Sequence, residues 1–472
     1  MRRDDDFTGL PALNRTNGVK RLKRLGDNEI RLMAKNDTRK ASRSRGSKVV
    51  STTGTAGSEG NVSVTASTTR GESSATRHDR RAAWGGLDWY EFLVGRPSET
   101  TMPSVTTSWS TMDTESKPSA ALADWPSLPW PRGPLSEYVI ATFRSKSGSP
   151  RLMPPVNVGN AIGDDDLQLA LFLCYELHYR DVASAEWEWD PAFLSFRAEL
   201  ERSFYEELRE LTATPPARHP TLVQELDAVV SAYPSTSISD FLCRRGTIDE
   251  LREYCIHLSV SKLKYSDAQA FGVARLQGAA KAAMVQIQFG DHGGGSSAHS
   301  ATSLFGEMLT SLRLDPSYGA YVGHVPGVSL ASANLESFFG LHRRWRGAMV
   351  GQVAAMKMTS VESMERCGKA MEHVGIHEDE AQYFQTRSRI DALNALIARN
   401  RLVGALVHAE PEVAGDVLFG ARSHLLLEER QSDNVLSAWS RGNSSLVPWG
   451  ATSLGGVPCT GVDDTGGRVD AH

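Results

Sequence analysis

From about residue 128 onward, the chain carries helix start signals ahead of apolar runs of helical period, and this constrains the fold more than any other feature. Asp164–Arg180 holds Leu167, Leu169, Leu171, Phe172 and Tyr175, dense enough for a helix buried on most sides. Asp190-Pro191 is a capping carboxylate followed by proline at the first helical position, which opens a helix running to about Leu211. Thr247-Ile-Asp-Glu250 is a capping box ahead of Leu251–Lys264. The same periodicity predicts helices over about 277–288, 298–313, 331–354, 360–374, 378–399 and 411–430. No Asn-Gly turn joins two β-branched runs, and no unit of solenoid length recurs. The expectation is an all-α, multi-helix bundle over 128–445.

The flanks read differently. Residues 1–80 are poor in large apolar side chains and rich in Ser, Thr, Gly and Arg, as in Lys40–Lys48 and Ser51–Ser74. Such a segment buries too little surface to offset its ordering entropy, so a disordered N-terminal extension is expected. It is basic, although the whole chain carries −5. A solvated tail is favoured over nucleic-acid contact along Lys20–Lys48. Residues 81–127 read as a linker with a short docking segment around Trp84, Trp89, Tyr90 and Phe92, and 446–472 as a disordered tail.

Five cysteines are scattered without CxxC spacing, which argues against a disulfide framework or zinc site and for a reducing, cytoplasmic setting. Met1-Arg-Arg-Asp-Asp-Asp leads into no apolar stretch, and no apolar run reaches the ~18 residues of a membrane span. No membrane or nucleic-acid partner is expected; a homodimer is compatible with the composition.

Several segments, in order, resemble the heme-oxygenase-like di-iron oxidases, the iron-containing redox enzyme family. They are Pro129–Leu135 (PWPRGPL), Tyr175–Arg180 (YELHYR) with Trp187–Pro191 (WEWDP), and Leu263–Leu276 (LKYSDAQAFGVARL). Gly293–Gly295, Leu314–Tyr321 (LDPSYGAY), Phe339–Val350 (FGLHRRWRGAMV), Met358-Thr-Ser360 and Asp416–Gly420 (DVLFG) follow. The resemblance implies a helical bundle holding two irons through carboxylates and imidazoles, with open positions for O₂ and a small organic substrate.

Matched position by position, the resemblance implies Glu176 as the first carboxylate ligand and Asp291 as the second, in Gly290-Asp-His-Gly-Gly-Gly295. The histidine expected next falls on Ala301. His299 stands about 200° away round a regular helix and serves only if the helix start is shifted. The family's HxxxDxxH stripe falls on Arg387, Asp391 and Asn394, so only the aspartate matches. Arg387 has no lone pair for iron. Two readings of it follow: its guanidinium substitutes for metal charge beside Asp391, or it turns to solvent. His178, two residues from Glu176, and His342 are expected around the pocket, with Arg387 and Asn394.

His373 and His377 form an HxxxH without the HExxH glutamate, and Gly293–Gly295 lacks the Lys-Ser/Thr of a phosphate loop, so neither is read as a site. Two functional readings stay open. One is an O₂-dependent di-iron oxidase using Glu176, Asp291, Asp391 and His299, with its metal site partly degraded. The other is a catalytically inactive binding or regulatory homologue with no cofactor. Heme held by His299 or His342 ranks below both.

Overall fold

The computed structural model describes residues 127–145, 152–213, 218–233, 237–376 and 382–448. They fall in one compact unit, Val105–His472. The basic segment, the aromatic stretch around Trp84 and Trp89, His377 and Cys459 lie outside the described residues. So does most of 446–472.

The described residues form helices and turns with no strand, so the fold is all-α. Two opening helices, α1 (Pro134–Phe143) and α2 (Asp165–Glu176), are tied together by Asp166, which accepts from the Leu135 and Ser136 amides at 2.8 and 2.7 Å. Helix α2 starts where Asp164 accepts from Leu167 N, and its last residue is Glu176. The Asp190 cap and Pro191 open α3 (Pro191–Leu211) as expected. Helices α4 (Leu222–Ala232) and α5 (Ile238–Arg245) lead to α6 (Ile248–Lys262), whose capping box is formed from both sides. Short α7 (Asp267–Val273) precedes α8 (Gly278–Asp291) and α9 (Ala301–Ser311).

Helix α10 (Gly327–Leu341) packs against α2, α7 and the last helix. The periodicity predicts one helix through 331–354; the structure breaks it at His342, whose backbone is extended (φ −101, ψ 115). Tertiary contacts override propensity here. The His342 ring meets Glu201 at 3.0 Å, and buried Trp345 lies against Tyr205 and Phe419. After this break α11 (Arg346–His373) runs unbroken for 28 residues. Helix α12 (Gln382–Leu396) passes into a π-helical turn, Ile397–Val403, and on into α13 (Gly404–Ala409). Helix α14 (Ala414–Ser440) closes the bundle.

Helices α11 and α14 form the most extensive helix pair. Gly351 and Gly420 permit it, because a Cβ at either would run into the backbone carbonyl of Val417 or Ala348 on the facing helix. Both are fully helical positions where glycine otherwise costs stability, so close approach is their reason. A second cluster, including Leu251, Phe305, Leu309, Met371, Phe384 and Val435, fills the space between α6, α9, α11, α12 and α14. The Gly351→Ala variant forces these backbones apart and should lower unfolding free energy by about 1–3 kcal/mol, read from urea midpoints. An unchanged midpoint would refute the close-approach account.

Candidate functional site

The expected carboxylates end up in the interior. Glu176 closes α2, Asp291 closes α8 and Asp391 lies mid-α12, each essentially inaccessible. Charges so placed need partners, and each has a cation.

Lys357, on α11, is fully buried, and its Nζ donates to both oxygens of Asp291 (2.9 and 3.0 Å) and to Asp391 Oδ1 (3.2 Å). The Nη2 of Arg387 donates to Asp291 Oδ1 (2.8 Å) and to Asp391 Oδ1, one helical turn along. Arg387 is thus turned inward with 1 % exposure, as its charge-substituting reading requires and against the solvent reading. Asp291 also accepts from Ser266 Oγ at 2.5 Å and Asn394 Nδ2 at 3.2 Å, and Asp391 from Ser360 Oγ at 2.9 Å. The third carboxylate has its own cation: Lys264 Nζ lies 2.5 Å from Glu176 Oε1, between the rings of Phe172 and Tyr179, while Tyr318 donates to Oε2 at 2.5 Å.

Three consecutive residues stitch these groups together. Lys264 reaches Glu176, Tyr265 accepts from Lys357 (2.7 Å) and Arg387 (3.1 Å), and Ser266 reaches Asp291. Ser266 holds a left-handed backbone (φ 69) just ahead of α7. That conformation is unusual for a non-glycine residue, and such strain tends to be kept where it places side chains. The π turn that begins three residues after Asn394 packs on α8, the helix that ends in Asp291.

Burial pushes the Asp291 carboxyl up, but the Lys357 and Arg387 charges and the Ser266 hydroxyl outweigh it, leaving the group at about 2. Burial likewise works against charged Arg387, yet Asp391, Tyr265 and Asp291 hold its pKa well above the ordinary value. Tyr265 is pushed well up by burial and stays a neutral phenol. Beside them on α10, Glu336 is raised by burial despite Lys262, Lys264 and Lys357 nearby.

The remaining expected residues are placed elsewhere. His299 sits exposed on a short turn, Ser297–His299, outside this cluster, and Ala301 opens α9. His178 lies past the end of α2, where Nδ1 meets Glu188 (2.9 Å) and Nε2 meets Arg197 (2.6 Å). Arg197 can only donate, so Nε2 accepts and the ring proton is assigned to Nδ1. His178 and His342 share a separate network through Arg197 and Glu201. Asn394 does join the cluster, through its amide nitrogen.

Can these residues accept iron? A carboxylate offers about four lone-pair directions. Asp291 already receives five contacts: two from Lys357 and one each from Arg387, Ser266 and Asn394. The ammonium of Lys357 stands between the two aspartates, where a shared metal would need their oxygens. Among the described residues, no group of three or more His, Cys, Asp or Glu side chains is placed to hold a metal ion. The donor set does not fit a di-iron centre.

Lys357, Lys264, Tyr265, Ser266 and Tyr318 were not singled out by sequence reasoning. Lys357 had a signal: it is the sole charge between Arg346 and Glu362 in an otherwise apolar or neutral helical run. The Asp291 ionisation fixes a sign for pH dependence. Its folded value lies below the ordinary ~3.9, so its stabilisation is complete above pH ~4 and is lost as pH falls through about 2. Removing a cation in Lys357→Met should move acid unfolding, followed by tryptophan fluorescence, to higher pH. An unmoved transition would contradict the pairing.

Comparison with curated proteins gives no match. The family model described as iron-containing redox enzyme matches residues 252–429, from within α6 to within α14. Asp291, Lys357, Arg387 and Asp391 lie inside that segment, and Glu176 lies before it. Over this segment the chain is similar to the iron-containing redox enzyme family, of haem oxygenase-like fold.

Proposed function

We propose that this chain is a family member in which organic cations have taken over the charge-balancing role of the metals, and that it works as a binding or regulatory homologue rather than an O₂-activating oxidase. The observation that carries this reading is Lys357 Nζ within 3.2 Å of both Asp291 and Asp391. Two aspartates face Lys357 and Arg387, and Glu176 faces Lys264, so the three ligand-position carboxylates are matched one for one. The missing imidazoles agree with it: Arg387 and Asn394 stand where the resemblance expects two histidines, and Ala301 where it expects a third. A network of this kind binds no O₂ and passes no electrons. What it does supply is a join between α2, the segment linking α6 to α7, α8, α11 and α12.

The competing reading is a partly degraded di-iron oxidase acting on a small organic substrate. The family match over residues 252–429 and the three buried carboxylates favour it. Anaerobic Fe(II) loading of the full chain, followed by metal analysis and O₂ uptake, separates the two. The expected result is well under one iron per chain and no uptake; two irons per chain with uptake would sink the proposal. The network reading also carries a stability test. In Lys357→Ala, two aspartates are left with Arg387 alone, and unfolding free energy should drop by about 3–5 kcal/mol. A loss under ~1 kcal/mol would show that the ammonium is not what holds the carboxylates.

A further inference from the structure

Away from the buried cluster, a cleft of about 530 Å³ opens between the loop before α2 and the helices α3, α10 and α14. That volume is in the usual ~300–1,000 Å³ range of small-molecule sites. Its floor is apolar, from Ile162, Pro326 and Val328. No residue of the cluster lines it.

Two acidic residues and one basic residue line the cleft, and they are not alike. Asp165 is already satisfied: it accepts from Gly327 N, and the buried Arg132 guanidinium stands 3.6 Å away. Arg132 is held in place by Nη2, which donates to the carbonyls of Val322 and Val325, while its Nη1, turned towards Asp165, makes no hydrogen bond among the described residues. Glu207, on α3, accepts from Ile162 N through Oε2 (2.9 Å) and has no ion pair among the described residues. Arg430, on α14, has none either, and Asn434 follows it one helical turn later. So the cleft presents one unpaired carboxylate and one unpaired guanidinium, on different walls and too far apart to pair with each other. In a concave site this arrangement favours a molecule that carries both complementary charges, since each end gains a charge-assisted contact.

We propose that this cleft binds a small zwitterion of the α-amino-acid class. The ligand carboxylate lies on the Arg430 fork with the Asn434 amide beside it, the ammonium lies on Glu207 Oε1, and the side chain rests on the Ile162, Pro326 and Val328 floor. Nothing in this site depends on the buried cluster, so its test and the iron-loading test fail independently.

The experiment is calorimetric titration of the full chain with the free proteinogenic amino acids one at a time, supported by thermal shift. The best binder is then compared with its N-acetyl derivative, which lacks the ammonium, and its carboxamide, which lacks the carboxylate. At least one free amino acid should bind, and each blocked derivative should bind at least about tenfold more weakly. Arg430→Gln and Glu207→Gln should each weaken the free amino acid by a similar factor while leaving circular dichroism unchanged. Absence of binding by every amino acid at millimolar concentration overturns the proposal. So does equal binding of the blocked derivatives, which needs no variant to interpret.

Discussion

The ammonium of Lys357 sits between two aspartates that have no access to water, and much of the bundle is arranged around that fact. In a low-dielectric interior, Asp291 and Asp391 side by side would repel strongly. With Lys357 and Arg387 between them, the same two groups become cross-links among α8, α11 and α12. These charges differ from surface ion pairs, which contribute little because solvent screens them. They are obligatory, since no member can lose its partner without stranding a buried charge. Replacing all of them with apolar groups would be less harmful than removing one, so the network is best understood as a constraint on arrangement.

The segment Lys264-Tyr265-Ser266 shows how local backbone geometry serves that constraint. In an ordinary helix three consecutive side chains point in three directions, about 100° apart. Here α6 has ended and Ser266 takes a left-handed turn before α7, so the run faces Glu176, the two cations and Asp291 in succession. The strain at Ser266 is stabilised by what its hydroxyl and its two predecessors hold.

Much of the fold was legible because helix starts are local chemistry. The Asp190-Pro191 cap and the Thr247–Glu250 box depend only on residues within one turn, and both are found as read. The break at His342 was not legible, because it depends on Glu201 and Phe419, which are distant in sequence. The site divides the same way. Arg387 and Asp391 are four apart on one helix, so spacing made their pairing one of two readings, and only the packed structure decides against a solvent-facing Arg387. Lys357 sits on another helix, and its only trace in sequence is a lone charge in an uncharged run. Tyr318 and Lys264 left no such trace, since their link to Glu176 spans long stretches of chain.

The π turn at Ile397–Val403 separates two tasks that a single straight helix would couple. Upstream, the face of α12 is dictated by Asp391 and Asn394, which must point at α8 and α11. Within the turn and after it, Leu402, Val403 and Leu406 are buried apolar side chains. One wide turn absorbs a residue and resets the angular phase of everything after it. The charged half of this helix therefore keeps the register its ion pairs require, while the apolar half takes the phase that its own packing requires.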